Sequence, residues 1–471
     1  MFRKLRYCFI FILLLVLVLR DVKKAWGQER NIFGIHVLET SDLGKAKELI
    51  NSNGGDWGYV TIVIREDDLD KTKWQKFMDE CRKLHLIPIV RIATYMETGW
   101  WAKPTMENLN KWHEFLNSLT WPVKQQIVVI FNEPNQAKEW GGEVNPRQYA
   151  LVLERLISLL KDSNNNFFVL NGGLDQAADG RNGTMDEGVF LNEMQKAVPD
   201  IFNKLDGWVS HSYPNHGFVG LPENTGRRSI KGYEWELEIV KGLGGTKDLP
   251  VFITETGWPH QEGKQNDSRF YENTKVAQLI EKAFTIWGLD DRIKSVTPFV
   301  LNYPVEPFDH FSWLKEDGGS WPIFAAVESL TKNKNEPEQV EKYEIVKINL
   351  PDLLPTNYTV KAKAMIKNTG QWIMGERKNL EFRIQNLESE NALMVEQPKF
   401  DQEQLIEPGK TMELNFSVQT GTQSAEHKLA INGKDYTIYV YKPFDLKNSK
   451  MSLWRQLINR LKLWWLEFRE K

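Results

Sequence analysis

Short apolar runs alternate with helical patterns from Asn31 to about Leu330. The runs are Ile32–Val37, Tyr59–Ile64, Ile87–Ala93, Gln126–Phe131, Phe167–Asn171, Asp206–His211, Pro250–Thr254 and Ser295–Leu301. They are rich in β-branched and aromatic residues and lack strict alternation, as strands buried on both faces do. Between them, Trp74–Leu84, Gln148–Leu160, Tyr233–Val240 and Thr274–Trp287 carry apolar positions at helical spacing. Eight strand–helix repeats of roughly 30 to 45 residues predict an α/β fold, a (β/α)8 TIM barrel over residues 31–330. An open doubly wound sheet is the competing reading, but no glycine-rich phosphate loop follows the first strand.

The pattern changes after Leu330. A polar stretch, Thr331 to Gln339, reads as a linker. Alternating segments follow: Glu344–Asn349, Tyr358–Lys367, Asn379–Gln385, Thr411–Val418, Ala425–Ile431 and Asp435–Tyr441. Turn signals such as Asn368-Thr369-Gly370 and Asn432-Gly433-Lys434 separate them, which predicts a small antiparallel, immunoglobulin-like all-β sandwich over residues 340–443. It gathers no set of catalytic residue types, so a spacer or packing role is expected, with sugar binding as the alternative.

The two ends differ again. Arg3, Lys4 and Arg6 precede an unbroken apolar run, Cys8 to Leu19, of about 12 residues, the length of a signal-peptide core and too short to span a bilayer. Residues 1–27 are therefore read as an export signal, cleaved near Ala25-Trp26-Gly27 or kept as an anchor. In both readings the remainder is extracytoplasmic. At the other end, residues 449–471 place Trp454, Leu457, Ile458, Leu461, Trp464, Trp465 and Phe468 on one face of a C-terminal amphipathic helix. Basic residues lie largely off that face, which points to peripheral membrane contact; docking on the protein's own domains is the alternative.

Composition narrows the function. A formal net charge of -3 argues against a nucleic-acid binder. Of the 2 cysteines, Cys8 lies in the export signal, so no intrachain disulfide and no cysteine metal site is expected. No cofactor is implied, and nothing in the pattern fixes an oligomeric state. The 18 tryptophans are an excess, some of which should lie on surfaces or in clefts, where stacking on sugar rings is one use.

Two motifs carry chemistry. Val128–Phe131 runs into Asn132-Glu133-Pro134-Asn135, and Val251–Ile253 into Thr254-Glu255-Thr256-Gly257-Trp258. Each glutamate follows an apolar strand, the fourth and the seventh, at the end where barrels carry their active sites. A carboxyl pair converging there suits cleavage of an acetal: one donates a proton, and the other remains ionised. Asp67, Asp68 and Asp70 follow the second strand and are read as a solvated helix start rather than a metal site; no metal is expected. His36 ends the first strand facing the pocket rim and is a candidate substrate contact, as is Trp258 as a stacking wall. Trp100-Trp101 either lines the cleft or packs a loop.

Over about 300 residues these motifs resemble the retaining glycoside hydrolases of clan A, in which the catalytic glutamates end strands four and seven. The resemblance implies that Glu133 is the acid/base, Glu255 the nucleophile, and Asn132 a ligand of the sugar hydroxyl beside the anomeric carbon. It implies that His211 and Tyr213, in His211-Ser212-Tyr213-Pro214, hydrogen-bond around the nucleophile. An early-strand arginine belongs there too, Arg91 being the first choice and Arg65 the second. The Asp317–Pro322 turn resembles the loop into the last barrel helix. Glu-Thr-Gly-Trp-Pro is similar to the β-1,3-glucanase branch and Asn-Glu-Pro-Asn to branches acting on other β-linked glycans, so no one branch is assigned. An oligo- or polysaccharide is the expected substrate, with a catalytically idle sugar-binding barrel or an envelope transglycosidase as alternatives.

Overall fold

Alternation within the strands builds two apolar layers. In the computed structural model, residues 30–375, 384–386, 393–397, 405–432 and 434–442 are described, with positions 454, 457, 458, 461 and 464. The strands are β1 (Gly34–Val37), β2 (Gly58–Arg65), β3 (Leu86–Ala93), β4 (Gln126–Ile130), β5 (Phe167–Asn171), β6 (Trp208–Ser210), β7 (Val251–Ile253) and β8 (Ile293–Val296). Ile87, Ile89, Ile127, Val129, Leu170, Val209 and Phe252 form one cluster. Their strand neighbours Val90, Ile92, Val128, Ile130, Val169, Val251 and Ile253 join a second, shared with helix residues such as Leu109, Trp112, Tyr149 and Leu153. A two-residue side-chain period sends successive positions to opposite faces, so β3 to β7 each feed both layers.

The fold is mixed α/β. All eight strands pair in parallel, β1 to β5 in one sheet and β6 to β8 in another. Parallel bridges link Leu170 to Gly207 and Phe33 to Val296. Helix starts are fixed by side-chain caps: Asp70 accepts from Thr72 N and Lys73 N, Thr105 from Asn108 N, Asn145 from Gln148 N and Asp186 from Val189 N. Such a cap satisfies an amide that the first turn leaves without a partner. Asp70 caps the helix Lys71–Lys83, and Asp67 and Asp68, in the 3-10 turn before it, pair with Arg65 and Lys73.

The last strand departs from expectation. The run Ser295–Leu301 was expected as strand, yet β8 ends at Val296. Phe299 and Val300 instead pack with Tyr213 and Phe311 in an apolar loop cluster above the strand ends.

A buried acid lies behind β6. Glu187 and Glu236 are both fully buried, Trp208 Nε1 donates to Glu236 Oε2 at 2.9 Å, and Arg227 Nε lies 3.8 Å from Glu187. Burial first, and the Glu236 charge next, push the Glu187 carboxyl well above the ordinary range. A carboxyl with a raised folded pKa binds more protons folded than unfolded, so its stabilising effect is full at low pH. That effect is lost as pH rises from the unfolded value of about 4.3 through the folded one. Glu187→Gln should therefore unfold at a higher temperature than the parent near pH 8, with the gap closing towards pH 4; melting curves across pH check this.

The chain divides between Glu338 and Gln339 into two units. The second contains two four-stranded sheets. One holds β9 (Tyr343–Asn349), β11 (Thr359–Asn368), β14 (Thr411–Thr420) and β13 (Leu393–Glu396). The other holds β10 (Leu353–Pro355), β16 (Lys434–Tyr441), β15 (Ala425–Ile431) and β12 (Ile384–Asn386). Inward residues of both, among them Ala362, Phe416, Leu429 and Val440, make one apolar cluster. The unit is not wholly antiparallel as expected, because β10 pairs with β16 in parallel.

Residues 1–27 lie outside the described residues, as do those of 449–471 except five. Trp454, Leu457, Ile458, Leu461 and Trp464 are helical and exposed. No described helix is long and apolar enough to cross a membrane.

Candidate active site

Arg91 follows Ile87 and Ile89 along one side of β3, in register with Val63 and Val129. It is the point at which an apolar strand interior gives way to charge. Beyond the strand ends lies a cavity of about 380 Å3, lined by Arg91, Asn132, Glu133, Tyr213 and Glu255 among others. That volume suits a small organic ligand or a sugar unit.

The chain is bent hard to present Glu133. Phe131 and Glu133 adopt positive φ, 65° and 30°, a conformation that side chains resist. It is held by Glu133 N donating to Gly173 O and Gln136 N to Glu133 O, both at 2.9 Å. Strain kept in place by surrounding bonds is characteristic of functional positions. Asn135, fully buried, receives Asp175 N and donates to Asp175 O and Met185 O, which ties this turn to the loop after β5. Gly173 is needed for a second reason: a Cβ there would stand 2.2 Å from the His211 ring.

Around the two glutamates the contacts are dense. His211 Nδ1 lies 3.0 Å from Glu133 Oε1 and 3.8 Å from Glu255 Oε2. One oxygen of each glutamate and a ring nitrogen of His211 all fall within 4.8 Å of one another. Tyr213 donates its hydroxyl to Glu255 Oε2 at 3.3 Å. Arg91 Nη1 donates to Glu255 Oε1 and, at 2.6 Å, to Asn132 Oδ1. Gln136 Nε2 donates to Glu133 Oε2 at 2.5 Å and to Asp175 Oδ2 at 3.2 Å.

These contacts set the charge of Glu255 and His211. Burial pushes the Glu255 carboxyl up, but the adjoining His211 and Arg91 outweigh it and hold it well below the usual carboxylate range. Burial works against a charged His211, yet Glu255 and then Glu133 overcome it and raise the imidazole above its ordinary value. The glutamates and His211 have the spacing of a metal-ligand set, but their negative charge is already met by Arg91 and His211.

Two predicted contacts do not reach the cavity. His36 is fully buried rather than at the rim, its ring edge-on to Phe299, and burial with the Arg91 charge lowers its pKa to about 3. Trp258 is 2% exposed, and its Nε1 donates to Gly220 O, so the indole packs a loop instead of walling the cleft. Arg65, the second choice for the arginine, is paired with Asp67 in solvent. Tryptophan is mostly a packing residue here: Trp57, Trp112, Trp121, Trp140, Trp208 and Trp287 are fully buried.

The cavity also contains groups that the motifs did not mark, Gln136, Glu139, Asp175 and Phe299, and Trp101, one of the pair read as lining the cleft or packing a loop, is on its wall. Glu139 is pushed up to about 7 by burial and by the neighbouring Glu133 charge, and Asp175 is raised for the same two reasons. Position held the signal for them, since each falls a few residues beyond a strand end, where barrel sites collect.

No described protein family matches the chain, and no curated protein is significantly similar to it. Among solved structures it is similar to glycoside hydrolases. One is a family 39 enzyme from the gut symbiont Bacteroides cellulosilyticus WH2, at 14% identity over 83% of this chain and 81% of that one, TM-score 0.44. Another is an endo-β-1,3-glucanase of family 128 from Pseudomonas viridiflava, at 12% identity over 65% and 100%, TM-score 0.42. A third is a β-glucanase from Saccharophagus degradans, in complex with cellotetraose, at 17% identity over 64% and 87%, TM-score 0.39. Similarity this distant leaves function to be read from the site itself.

Proposed function

We propose that the protein is a retaining glycoside hydrolase acting on an oligo- or polysaccharide. One observation carries the reading: oxygens of Glu133 and Glu255 lie within 4.8 Å of each other on the wall of a cavity. Retention needs the carboxyls roughly 5–5.5 Å apart, whereas inversion needs about 6.5–9.5 Å to admit a water between sugar and base. The bridges at Leu170–Gly207 and Phe33–Val296 support reading the eight strands as one closed barrel. Strand order in the second unit, with β9 and β10 on different sheets, supports the immunoglobulin-like reading.

In this mechanism Glu255, kept ionised by His211 and Arg91, attacks the anomeric carbon. The bond to the leaving oxygen breaks as Glu133 passes its proton to that oxygen. His211, within hydrogen-bond distance of Glu133, stabilises the carboxylate so formed. Glu133 then takes a proton from water, the hydroxide oxygen displaces Glu255, and the sugar leaves with its configuration retained. Tyr213 and Arg91 orient Glu255 throughout.

Trapping with a panel of 2-deoxy-2-fluoro β-glycosyl fluorides, followed by peptide mass spectrometry, tests this. The expected result is a stoichiometric glycosyl adduct on Glu255. Saccharide binding with no adduct from any member of the panel would leave a sugar-binding barrel instead.

A further inference from the structure

The loop after β3 presents an aromatic surface beside the cavity that the catalytic reading does not use. Thr94 and Trp101 line the cavity, and the chain between them carries Tyr95 and Trp100, 40% and 39% exposed. The loop that carries them is pinned. Glu97 N donates to Trp100 O, Ala102 N to Tyr95 O, Trp101 N to Lys138 O and Gly141 N to Trp101 O, at 2.7 to 2.9 Å. The last two bonds tie it to the segment that follows Glu133.

The indole of Trp100 is fixed as well. One face rests on Gly142, where a Cβ would come within 3.3 Å of the ring, and Gly142 has a positive φ of 80° that suits glycine. Trp100 Nε1 donates to Glu97 Oε2 at 2.9 Å, so the ring edge is anchored and Glu97 is aimed alongside it. Despite that contact Trp100 stays exposed. A flat apolar face bordered by a carboxylate acceptor suits a pyranose, whose axial C–H groups stack while its equatorial hydroxyls donate at the edge.

We propose that Trp100, flanked by Tyr95 and Glu97, is a binding platform for a further pyranose unit of the same glycan chain whose scissile linkage occupies the adjoining cavity. The occupant follows from continuity, because Trp101 and Thr94 carry the cavity wall directly into the platform. The inference rests on the glycosidase reading and adds to it a substrate class: chains that extend past the cleaved bond, rather than simple monoglycosides.

The test compares the parent with Trp100→Ala and Trp100→Phe, each in a Glu255→Gln background. Calorimetry would follow binding of β-1,3- and β-1,4-glucan oligosaccharides from disaccharide to hexasaccharide. The parent should gain about tenfold in affinity along at least one series, as expected for one aromatic stacking contact. Trp100→Ala should lose that gain and Trp100→Phe should keep most of it. With Glu255 restored, Trp100→Ala should cleave an aryl monoglycoside with unchanged kcat/KM. A length-dependent gain that survives in Trp100→Ala, or a parent with no gain along either series, overturns the platform. The two readings fail separately: a length gain without any adduct on Glu255 removes the glycosidase and leaves the platform, and an adduct without a length gain does the reverse.

Discussion

Changing Glu255 to glutamine is expected to lower turnover on the order of 10^4-fold or more, with the melting temperature moved by no more than a few degrees. The replacement is nearly isosteric, so the cavity keeps its shape and Tyr213 keeps an acceptor. What disappears is the nucleophile, since an amide oxygen does not form the glycosyl ester. The wild-type residue also sets an acid limit. Because His211 and Arg91 hold Glu255 well below the usual carboxylate range, kcat/KM should persist as pH falls and decline only when pH passes through that depressed pKa. An acid limb at or above the ordinary glutamate value of about 4.3 would show that these cations are not tuning it.

Changing Glu133 to alanine should have a different signature. Loss of general acid catalysis costs about 10^2- to 10^4-fold for substrates whose leaving group must be protonated. A dinitrophenyl glycoside needs no such help, so its first step should be nearly unaffected while breakdown of the ester becomes slow. Azide, which needs no base, should then restore turnover and yield a glycosyl azide of retained configuration. Equal losses for good and poor leaving groups, with no response to azide, would remove Glu133 from the acid/base role. Gln136 belongs to the same account: its amide spans Glu133 Oε2 and Asp175 Oδ2, and it fixes the face that Glu133 turns to the cavity.

The parallel strands and the placing of the two glutamates beside one cavity are legible in the sequence. The strands β2 to β5 stand out because a doubly buried strand is mostly apolar, and Asn132, Glu133 and Glu255 because polar groups end such runs abruptly. The end of β8 is not legible: Phe299 and Val300 are as apolar as a strand, but they pack among loop residues, Tyr213, Phe218 and Phe311, that the pattern does not bring together. His36 and Trp258 failed for the related reason that a residue beside a motif inherits no direction from it. Both are buried, and burial depends on what packs against them. Glu139 and Asp175 were missed because a carboxyl in a loop looks solvated until the fold encloses it.

The division between the packed strand interior and the loops above it has an evolutionary consequence. Ile87, Ile89, Ile127, Val129, Leu170 and Phe252 fill the interior whatever saccharide is cut, whereas Tyr95, Glu97 and Trp100 sit on a surface segment whose exchange disturbs no buried layer. On the proposed reading, substitutions in that segment would change which glycan binds without rebuilding the scaffold.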